Sequence, residues 1–247
     1  MAVLKPETLA TEIREYCAAH ADAAGAAKYA RYFKEGYDAW GLMDGKHEFW
    51  HAKQEEWLKR YSKLGLKGFL RAGELLFRSG KYEEGGLAIR FVKSFGAEVD
   101  ATALAGLQKW FAAGIGNWAH VDVLCAEVLG PALGGGRVTL KDLAEWRESK
   151  LRFQRRAVPV AMLNLLKSKF KTGELLKFVR PMMMDQERVV QQGLGWFLRE
   201  LWKKDRAPVE AFLLEWKETA PRLIFQYATE KMTTEEKARF KRAGKRG

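Results

Sequence analysis

A tryptophan and an aspartate stand four residues apart in the segment GIGNWAHVDVL, at Trp118 and Asp122. If this segment is helical, the two side chains lie on one face, one turn apart. The face of an indole ring attracts positive charge, and a carboxylate lowers the energy of a developing cation in a water-poor cleft. The pair therefore suits chemistry on a cationic substrate, although the same spacing is also that of an ordinary helix-packing contact.

A second tryptophan, Trp196, lies beside two glycines in the segment QQGLGWFLREL. Gly193 and Gly195 lower the stability of a helix, so their presence indicates close approach of another backbone or of a ligand. Most of the other tryptophans are expected to be core residues, because large indole rings bury more apolar surface than they expose.

Positive charge is densest in the segment around residues 147–156. On a helix that begins near Lys150, the guanidinium groups of Arg152, Arg155 and Arg156 share one face, and apolar residues between them supply packing surface. Such a face matches a phosphate backbone, and its binding would depend on salt. An ordinary solvated helix face is the alternative.

The whole chain is basic, with 43 Lys and Arg against 31 Asp and Glu and a net charge of +12 over 247 residues. This balance predicts a polyanionic partner, and nucleic acid ahead of a membrane. No run approaches the roughly 18 to 20 apolar residues that span a bilayer. Glu7, Glu12 and Glu15 fit no signal peptide, so we expect an intracellular, cytoplasmic protein.

Metal and disulfide chemistry are not indicated. Cys17 and Cys125 are far apart and belong to no Cys/His cluster, which predicts buried, reduced thiols. His47 and His51 would share a helix face, but the pattern supplies no third ligand. We therefore predict no metal site.

Apolar residues recur at helical spacing along most of the chain, and no strand pattern is visible. The predicted fold class is all-α. The predicted helices span residues 6–21, 26–36, 46–62, 67–79, 82–95, 99–113, 117–129, 139–148, 150–168, 173–183, 186–203, 207–219, 221–231 and 233–244.

Many short helices with brief turns predict an α-solenoid of stacked antiparallel helix pairs, as in HEAT-like repeats, with a compact helical bundle as the alternative. The segment PALGGG at 131–136 is the clearest break, but it is too short to link independent domains. We therefore expect one domain over residues 1–247. The basic tail 237–247 is either a DNA-contacting extension or a frayed end, and we favour the frayed end.

Three segments of the chain resemble, in order and approximate spacing, signatures of the AlkD-like DNA alkylation repair glycosylases. They are NWAHVD at 117–122, FQRRAV at 153–158 and GLGWFLRE at 193–200. An early stretch, Tyr32-Phe33-Lys34 followed by Trp40-Gly41-Leu42, is similar to the N-terminal pattern of that family.

The resemblance implies an α-solenoid whose concave, basic surface holds duplex DNA, and hydrolysis of the N-glycosidic bond of 3-methyladenine- or 7-methylguanine-type lesions without metal or cofactor. Carried over by position, it implies that Asp122 is the catalytic carboxylate and that Trp118 and Trp196 flank the lesion's deoxyribose. It further implies that Arg156 and Arg199 hold backbone phosphates. Tyr32, from the N-terminal pattern, is a further DNA contact, and the expected state is a monomer.

The chain departs from the family pattern at three positions. Ala119 stands where a second acidic residue is common, and Gln192 and Asn164 stand where lysines are expected. These changes bear on phosphate contacts and lesion preference. A second hypothesis is therefore a non-catalytic HEAT-like protein that binds duplex or branched DNA, and a third is a scaffold for an acidic protein partner.

Overall fold

The computed structural model describes residues 4–34, 36–42, 48–167 and 169–243, and within these ranges the chain forms helices and turns without a strand. The α-helices are α1 (Pro6–Ala19), α2 (Ala23–Ala30), α3 (Glu48–Arg60), α4 (Gly65–Phe77), α5 (Tyr82–Lys93), α6 (Leu104–Ala113), α7 (Trp118–Leu124), α8 (Gly130–Gly134), α9 (Ala144–Arg147), α10 (Arg152–Met162), α11 (Thr172–Val179), α12 (Arg188–Lys204), α13 (Arg206–Trp216), α14 (Arg222–Ala228) and α15 (Thr234–Ala238). Short 3-10 helices cover Ser62–Leu64, Gly96–Glu98, Ala101–Ala103, Leu163–Lys167 and Arg180–Met184, and a π-helical turn covers Cys125–Leu129.

The all-α prediction is confirmed, and the segment PALGGG is a break only in its second half, since α8 ends at Gly134 and Gly136 has a positive φ of 73°. Residues of this segment continue the helical path as α8, directly after the π-helical turn. Pro131 lies just after the π-helical turn, where the regular hydrogen bonding of the helix is already interrupted, so the N–H that proline lacks costs little.

The predicted helix at 139–148 is wrong over its first half, since only α9 is helical there. The Asp142 carboxylate accepts hydrogen bonds from the backbone N–H (2.8 Å) and the hydroxyl (2.7 Å) of Thr139. Side chains of this type offer the backbone a turn in place of a helix. The Thr139/Asp142 pair therefore forms a turn rather than a helix start.

Two compact units divide the chain between Val128 and Leu129. In the N-terminal unit, α4 packs against α1, α5 and α6. Its core includes Leu76 and Trp110, both fully buried. The indole N–H of Trp110 donates to the carbonyl of Leu70 (2.8 Å), and the ring lies against Gly73, where a Cβ atom would come within 2.3 Å of it.

In the C-terminal unit, α12 is the central helix and packs against α10 on one side and α14 on the other. Gly195 faces α14, where a Cβ atom would lie 2.7 Å from the carbonyl oxygen of Ile224. Gly193 faces α10, with a Cβ position 3.2 Å from Cγ of Arg156. The predicted close approach of another backbone is confirmed at Gly195, whereas the atoms nearest to Gly193 belong to the side chains of Arg156 and Val160.

The C-terminal segment is docked on the C-terminal unit, so the favoured frayed end is wrong as far as residue 243. Phe240 is 1% exposed. Its carbonyl accepts from Arg222 (3.0 Å), and Arg242 donates to the carbonyl of Ala220 (3.0 Å). A buried aromatic ring and two charged donors hold this segment in place, while residues 244–247 lie outside the described part.

None of the helices in the described ranges combines the length and the hydrophobicity of a membrane span. The same residues form no group of three or more His, Cys, Asp or Glu side chains that could hold a metal ion. Cys17 and Cys125 are buried and form no disulfide. His47, one of the two histidines considered for metal binding, lies outside the described residues.

Replacing Gly195 by alanine would place its Cβ 2.5 Å from Cβ of Tyr227 and 2.7 Å from the Ile224 oxygen. We expect Gly195→Ala to lower the free energy of unfolding by about 1–3 kcal/mol, because α14 must shift to relieve the overlap. Urea denaturation followed by circular dichroism measures the change. Gly173→Ala on α11 is the control, since a Cβ atom at Gly173 would meet no atom within 4 Å. This variant should leave the free energy of unfolding unchanged or raise it by up to about 1 kcal/mol. Equal midpoints for the wild type and Gly195→Ala would contradict the contact.

Candidate functional site

Helix α7 begins at Trp118 because the preceding asparagine caps it. The Asn117 side-chain oxygen accepts a hydrogen bond from the backbone N–H of His120 (2.8 Å), which satisfies one of the donors that a helix start leaves unpaired. Trp118 is therefore the first helical residue, and its ring is 39% exposed. Asp122 follows one turn later on the same helix and is half-buried, as the spacing predicts.

A buried histidine fixes the orientation of α7. The Nε2–H of His120 donates to the carbonyl of Tyr82 (2.8 Å), and Nδ1 accepts from the side-chain amide of Asn117 (2.9 Å). The ring also stacks on Tyr82, with centroids 4.6 Å apart, and meets the edge of Phe77 at 5.4 Å. These partners agree with one neutral tautomer. Both ring nitrogens are therefore engaged within the protein.

Burial also sets the charge of this histidine. Removal from water disfavours the imidazolium form and lowers the pKa of His120 to about 4, against a partial opposing effect of the Tyr82 carbonyl. At neutral pH the ring is uncharged, so it serves α7 as a hydrogen-bonded support rather than as a proton donor.

An aromatic row backs the exposed tryptophan. Phe33 stacks on Trp118 with centroids 5.8 Å apart and an interplanar angle of 18°. Tyr37 stacks on Phe33 at 4.7 Å, and Tyr82 contacts both Phe33 and Tyr37. The indole of Trp118 is thus supported by Phe33 while more than a third of its surface stays open. This arrangement presents an aromatic surface one turn from a carboxylate.

A buried glutamate holds the segment that supplies Phe33 and Tyr37. The carboxylate of Glu83 accepts hydrogen bonds from the backbone N–H groups of three consecutive residues, Trp40 (2.8 Å), Gly41 (2.7 Å) and Leu42 (3.0 Å). Charge-assisted bonds of this kind are stronger than neutral ones. The chain bends sharply at Gly41 (φ 86°), where a Cβ atom would lie 1.9 Å from the carbonyl oxygen of Asp22.

Sequence reasoning missed Glu83 and its neighbour Glu84. Glu84 is fully buried and binds the indole N–H of Trp40 (3.1 Å) and the guanidinium of Arg14 (3.0 Å). The available signal was their register on α5, because positions 83 and 84 lie one turn before the buried Leu87 and Ala88. A carboxylate on an apolar helix face indicates a buried partner.

In the C-terminal unit, Trp196 lies on α12 and is half-buried. One turn earlier, Gln192 donates from its side-chain amide to the hydroxyl of Tyr227 (2.8 Å). The position at which a lysine is expected is therefore occupied by a neutral side chain that joins α12 to α14. Asn164 lies in the 3-10 helix after α10, and Ala119 is buried on α7.

Arg155 and Arg156 are held by the protein itself. Arg156 is 5% exposed and donates to the carbonyl of Val189 (2.7 Å). Arg155 makes two bonds to the Asp185 carboxylate (2.6 and 3.2 Å) and one to the carbonyl of Ser149 (2.7 Å). The first turns of α10 are therefore fixed by these two side chains, and a phosphate-binding role for them stays a prediction.

The remaining predicted DNA contacts differ in their exposure to solvent. Arg152 is exposed at the start of α10, 3.6 Å from Glu187. Arg199 pairs with Glu200 (2.9 Å) and with Glu230 and keeps only part of its side chain exposed. The guanidinium of Arg31 covers the ring of Tyr32, which is 54% exposed. Their roles toward DNA also remain predictions.

A cavity of about 370 Å³ opens beside the start of α7. Its walls combine backbone at several glycines with polar and aromatic side chains, among them Tyr37, Asp38, Lys81, Tyr82, Asn117 and His120. A larger cavity of about 760 Å³ lies along α4 and α6 and includes no residue of α7. Cavity size therefore does not identify the face of α7 that carries Trp118 and Asp122. That face is distinguished by an exposed indole one turn from a carboxylate.

The sequence profile of a family described as DNA alkylation repair enzyme matches residues 13–232. A solved structure, "Predicted DNA alkylation repair enzyme from Enterococcus faecalis", is similar in fold, with a TM-score of 0.69 at 17% sequence identity over 87% of this chain and 98% of that chain. No curated protein sequence matches the chain significantly.

The lowered pKa of His120 predicts a pH dependence of stability. Its ordinary pKa of 6.5 applies in the unfolded chain and about 4 in the folded one, so the unfolded state binds the proton first. The free energy of unfolding should be fully retained above pH 6.5 and should fall by up to about 3 kcal/mol as the pH drops to 4. Urea denaturation between pH 4 and 8 measures this loss.

His120→Gln is the matched control, because an amide can still donate to the Tyr82 carbonyl but does not titrate. This variant should be less stable at pH 7, yet it should lose less stability than the wild type between pH 6.5 and 4. Parallel curves for the two proteins over that interval would show that His120 is not a buried neutral ring.

Proposed function

The chain belongs to the DNA alkylation repair enzyme family, and we propose that it is a DNA glycosylase acting on positively charged alkylated purines, of the 3-methyladenine and 7-methylguanine type, in duplex DNA. It would thereby start base excision repair. The observation that carries this proposal is the Trp118/Asp122 face of α7, where an exposed, supported indole lies one turn from a carboxylate.

In the proposed reaction, the bond between C1′ of the deoxyribose and the purine nitrogen breaks, and its electron pair neutralises the departing cationic base. The sugar becomes an oxocarbenium-like cation. The carboxylate of Asp122 stabilises this charge and orients the water that adds to C1′, and that water then loses a proton. The ring face of Trp118 adds cation–π attraction and excludes bulk solvent.

The side chains around α7 favour a leaving group that needs no proton. His120 is neutral and uses both ring nitrogens within the protein. Burial raises the pKa of Tyr82 and of Tyr37, which makes both phenols poorer acids. A normal purine leaves slowly unless it is protonated, whereas an alkylated, cationic purine already carries the charge. These groups therefore support a charged lesion as the substrate.

Binding is proposed to rely on the positive charge of the chain and to require no cofactor. A net charge of +12 favours a polyanion. Arg152 is exposed at the start of α10 and is proposed to bind a phosphate. Arg199, which pairs with Glu200 and Glu230, is likewise proposed to bind a phosphate. Trp196 is proposed to contact the sugar-phosphate chain from α12, and Tyr32 is proposed to contact it from the N-terminal unit. We propose that the protein works as a HEAT-like, single-domain monomer on DNA in the cytoplasm.

A non-catalytic DNA-binding protein is the second candidate. It is favoured by the local structure at two departures from the family pattern. Ala119 is buried and supplies no second acid on α7, and the amide of Gln192 binds Tyr227 instead of offering a positive charge. Both candidates predict salt-dependent binding of duplex DNA, so only base release separates them.

Asp122→Asn removes the negative charge while keeping the size of the side chain. We expect release of 7-methylguanine from duplex DNA to slow by at least about 100-fold, since charge stabilisation in the transition state is lost. Affinity for the duplex should stay equal or rise slightly, because one negative charge is removed. Heat cleavage of the resulting abasic sites measures release, and fluorescence anisotropy measures affinity.

Glu98→Gln is the control, because it removes one exposed carboxylate from the same unit away from α7. It should release base at the wild-type rate. If Asp122→Asn were as active as Glu98→Gln, the assigned role of Asp122 would be wrong. If the wild type bound the duplex and released no base, the non-catalytic candidate would be the better account.

A further inference from the structure

Two large apolar side chains are exposed close to the starts of neighbouring helices in the C-terminal unit. Leu151 immediately precedes α10 and is 39% exposed, and Met184 ends the 3-10 helix before α12 and is 45% exposed. They are two of the five large apolar side chains that are exposed within the described ranges. Neither residue belongs to the Trp118/Asp122 face. Because exposed apolar surface often marks an interaction site, their exposure needs a separate explanation.

One guanidinium joins the two loops that carry these side chains. Arg155 donates to the carbonyl of Ser149, two residues before Leu151, and makes a two-bond contact with Asp185, which directly follows Met184. The Asp185 side chain is 9% exposed. Leu151 and Met184 therefore lie in two segments of the chain that one largely buried ion pair joins. We call these two residues the apolar pair.

Further hydrogen bonds keep the loops rigid. The hydroxyl of Ser149 accepts from the backbone N–H of Leu151 (3.1 Å). The amide of Gln186 donates to the carbonyl of Met184 (2.8 Å), and the amide of Gln191 donates to the carbonyl of Asp185 (2.8 Å). Because these loops are ordered before any partner arrives, binding through the apolar pair would lose little conformational entropy.

Positive charge surrounds the apolar pair. Lys150, Arg152 and Arg188 are exposed, and Arg152 and Arg188 are the first residues of α10 and α12. Neither helix has an acidic residue in its first turn. Cations at the positive end of a helix dipole are unfavourable in the isolated protein, and a polyanion would offset that cost. Glu187, 3.6 Å from Arg152, offsets only part of the positive charge.

We propose that the apolar pair contacts the groove of duplex DNA, with Leu151 and Met184 packed against deoxyribose and base edges and Lys150, Arg152 and Arg188 placed at the flanking phosphates. Leucine and methionine are among the side chains that proteins insert into the minor groove, and the cations supply the charge complementarity that a phosphate backbone requires. The inference rests on the proposed function for its partner, DNA.

Binding to an undamaged duplex tests the apolar pair without involving base release. The doubly substituted variant Leu151→Ser with Met184→Ser should bind about tenfold more weakly at every salt concentration, with the slope of log affinity against log salt unchanged. The swap Leu151→Met with Met184→Leu keeps both positions apolar and should bind like the wild type. Lys150→Gln should instead make that slope less steep by about 0.9, because each phosphate contact contributes about that much to the slope.

Equal affinity of the serine variant and the wild type would overturn the proposal, and the apolar pair would then be a surface for another protein. A change in salt slope in the serine variant, without loss of affinity at high salt, would also contradict an apolar contact. Absence of duplex binding by the wild type would overturn this inference together with the proposed DNA substrate. If the apolar pair contributed to duplex binding but the protein released no base, the proposed glycosylase activity would be wrong and the inference about the apolar pair would stand.

Discussion

The neutral ring of His120 is the constraint on which the candidate site depends. It bonds to the cap residue Asn117 on one side and to the carbonyl of Tyr82 on the other, so it ties the start of α7 to the start of α5. Trp118 and Asp122 lie on opposite sides of His120 in the sequence of that helix. Their orientation therefore follows from a hydrogen-bonded imidazole that burial keeps uncharged.

The same support extends to the exposed indole through aromatic contacts. Tyr82 carries the stacked ring of His120 and also touches Phe33, which stacks on Trp118. Phe33 and Tyr37 come from a segment that is held by the three backbone bonds of Glu83 to Trp40, Gly41 and Leu42. One charged and one neutral buried group thus preorganise the Trp118/Asp122 face, and preorganisation is what the proposed stabilisation of a transition state depends on.

The C-terminal unit uses its charges differently. Arg155 donates hydrogen bonds to the Asp185 carboxylate and to the carbonyl of Ser149, and Arg156 donates to the carbonyl of Val189. These arginines shape the starts of α10 and α12, while the exposed Lys150, Arg152 and Arg188 remain on the surface. A basic segment can therefore contain both structural and partner-facing cations, and the two kinds are separated by what each guanidinium contacts.

Helical periodicity predicted the all-α class and the placement of Trp118 and Asp122 on one helix, because both depend on residues near in sequence. The close approach at Gly195 was predicted from the special geometry of glycine. Helical periodicity did not predict the partner of Arg155, 30 residues away, or the support of His120 by Tyr82, 38 residues away. Such pairs depend on which helices pack together. The turn at Thr139 and Asp142 was missed because the same residues suit both a helix start and a local turn.

In the proposed reaction, the protein stabilises a cationic sugar and supplies no proton to the departing base. The most direct test compares single-turnover release of a charged base, 7-methylguanine, with release of an uncharged one, hypoxanthine, from duplexes of otherwise identical sequence. We expect the protein to release 7-methylguanine well above the spontaneous rate. Hypoxanthine should be released no faster with the protein than without it. Release of both bases at similar rates would contradict the proposed reaction, because an acid would then have to act on the leaving group.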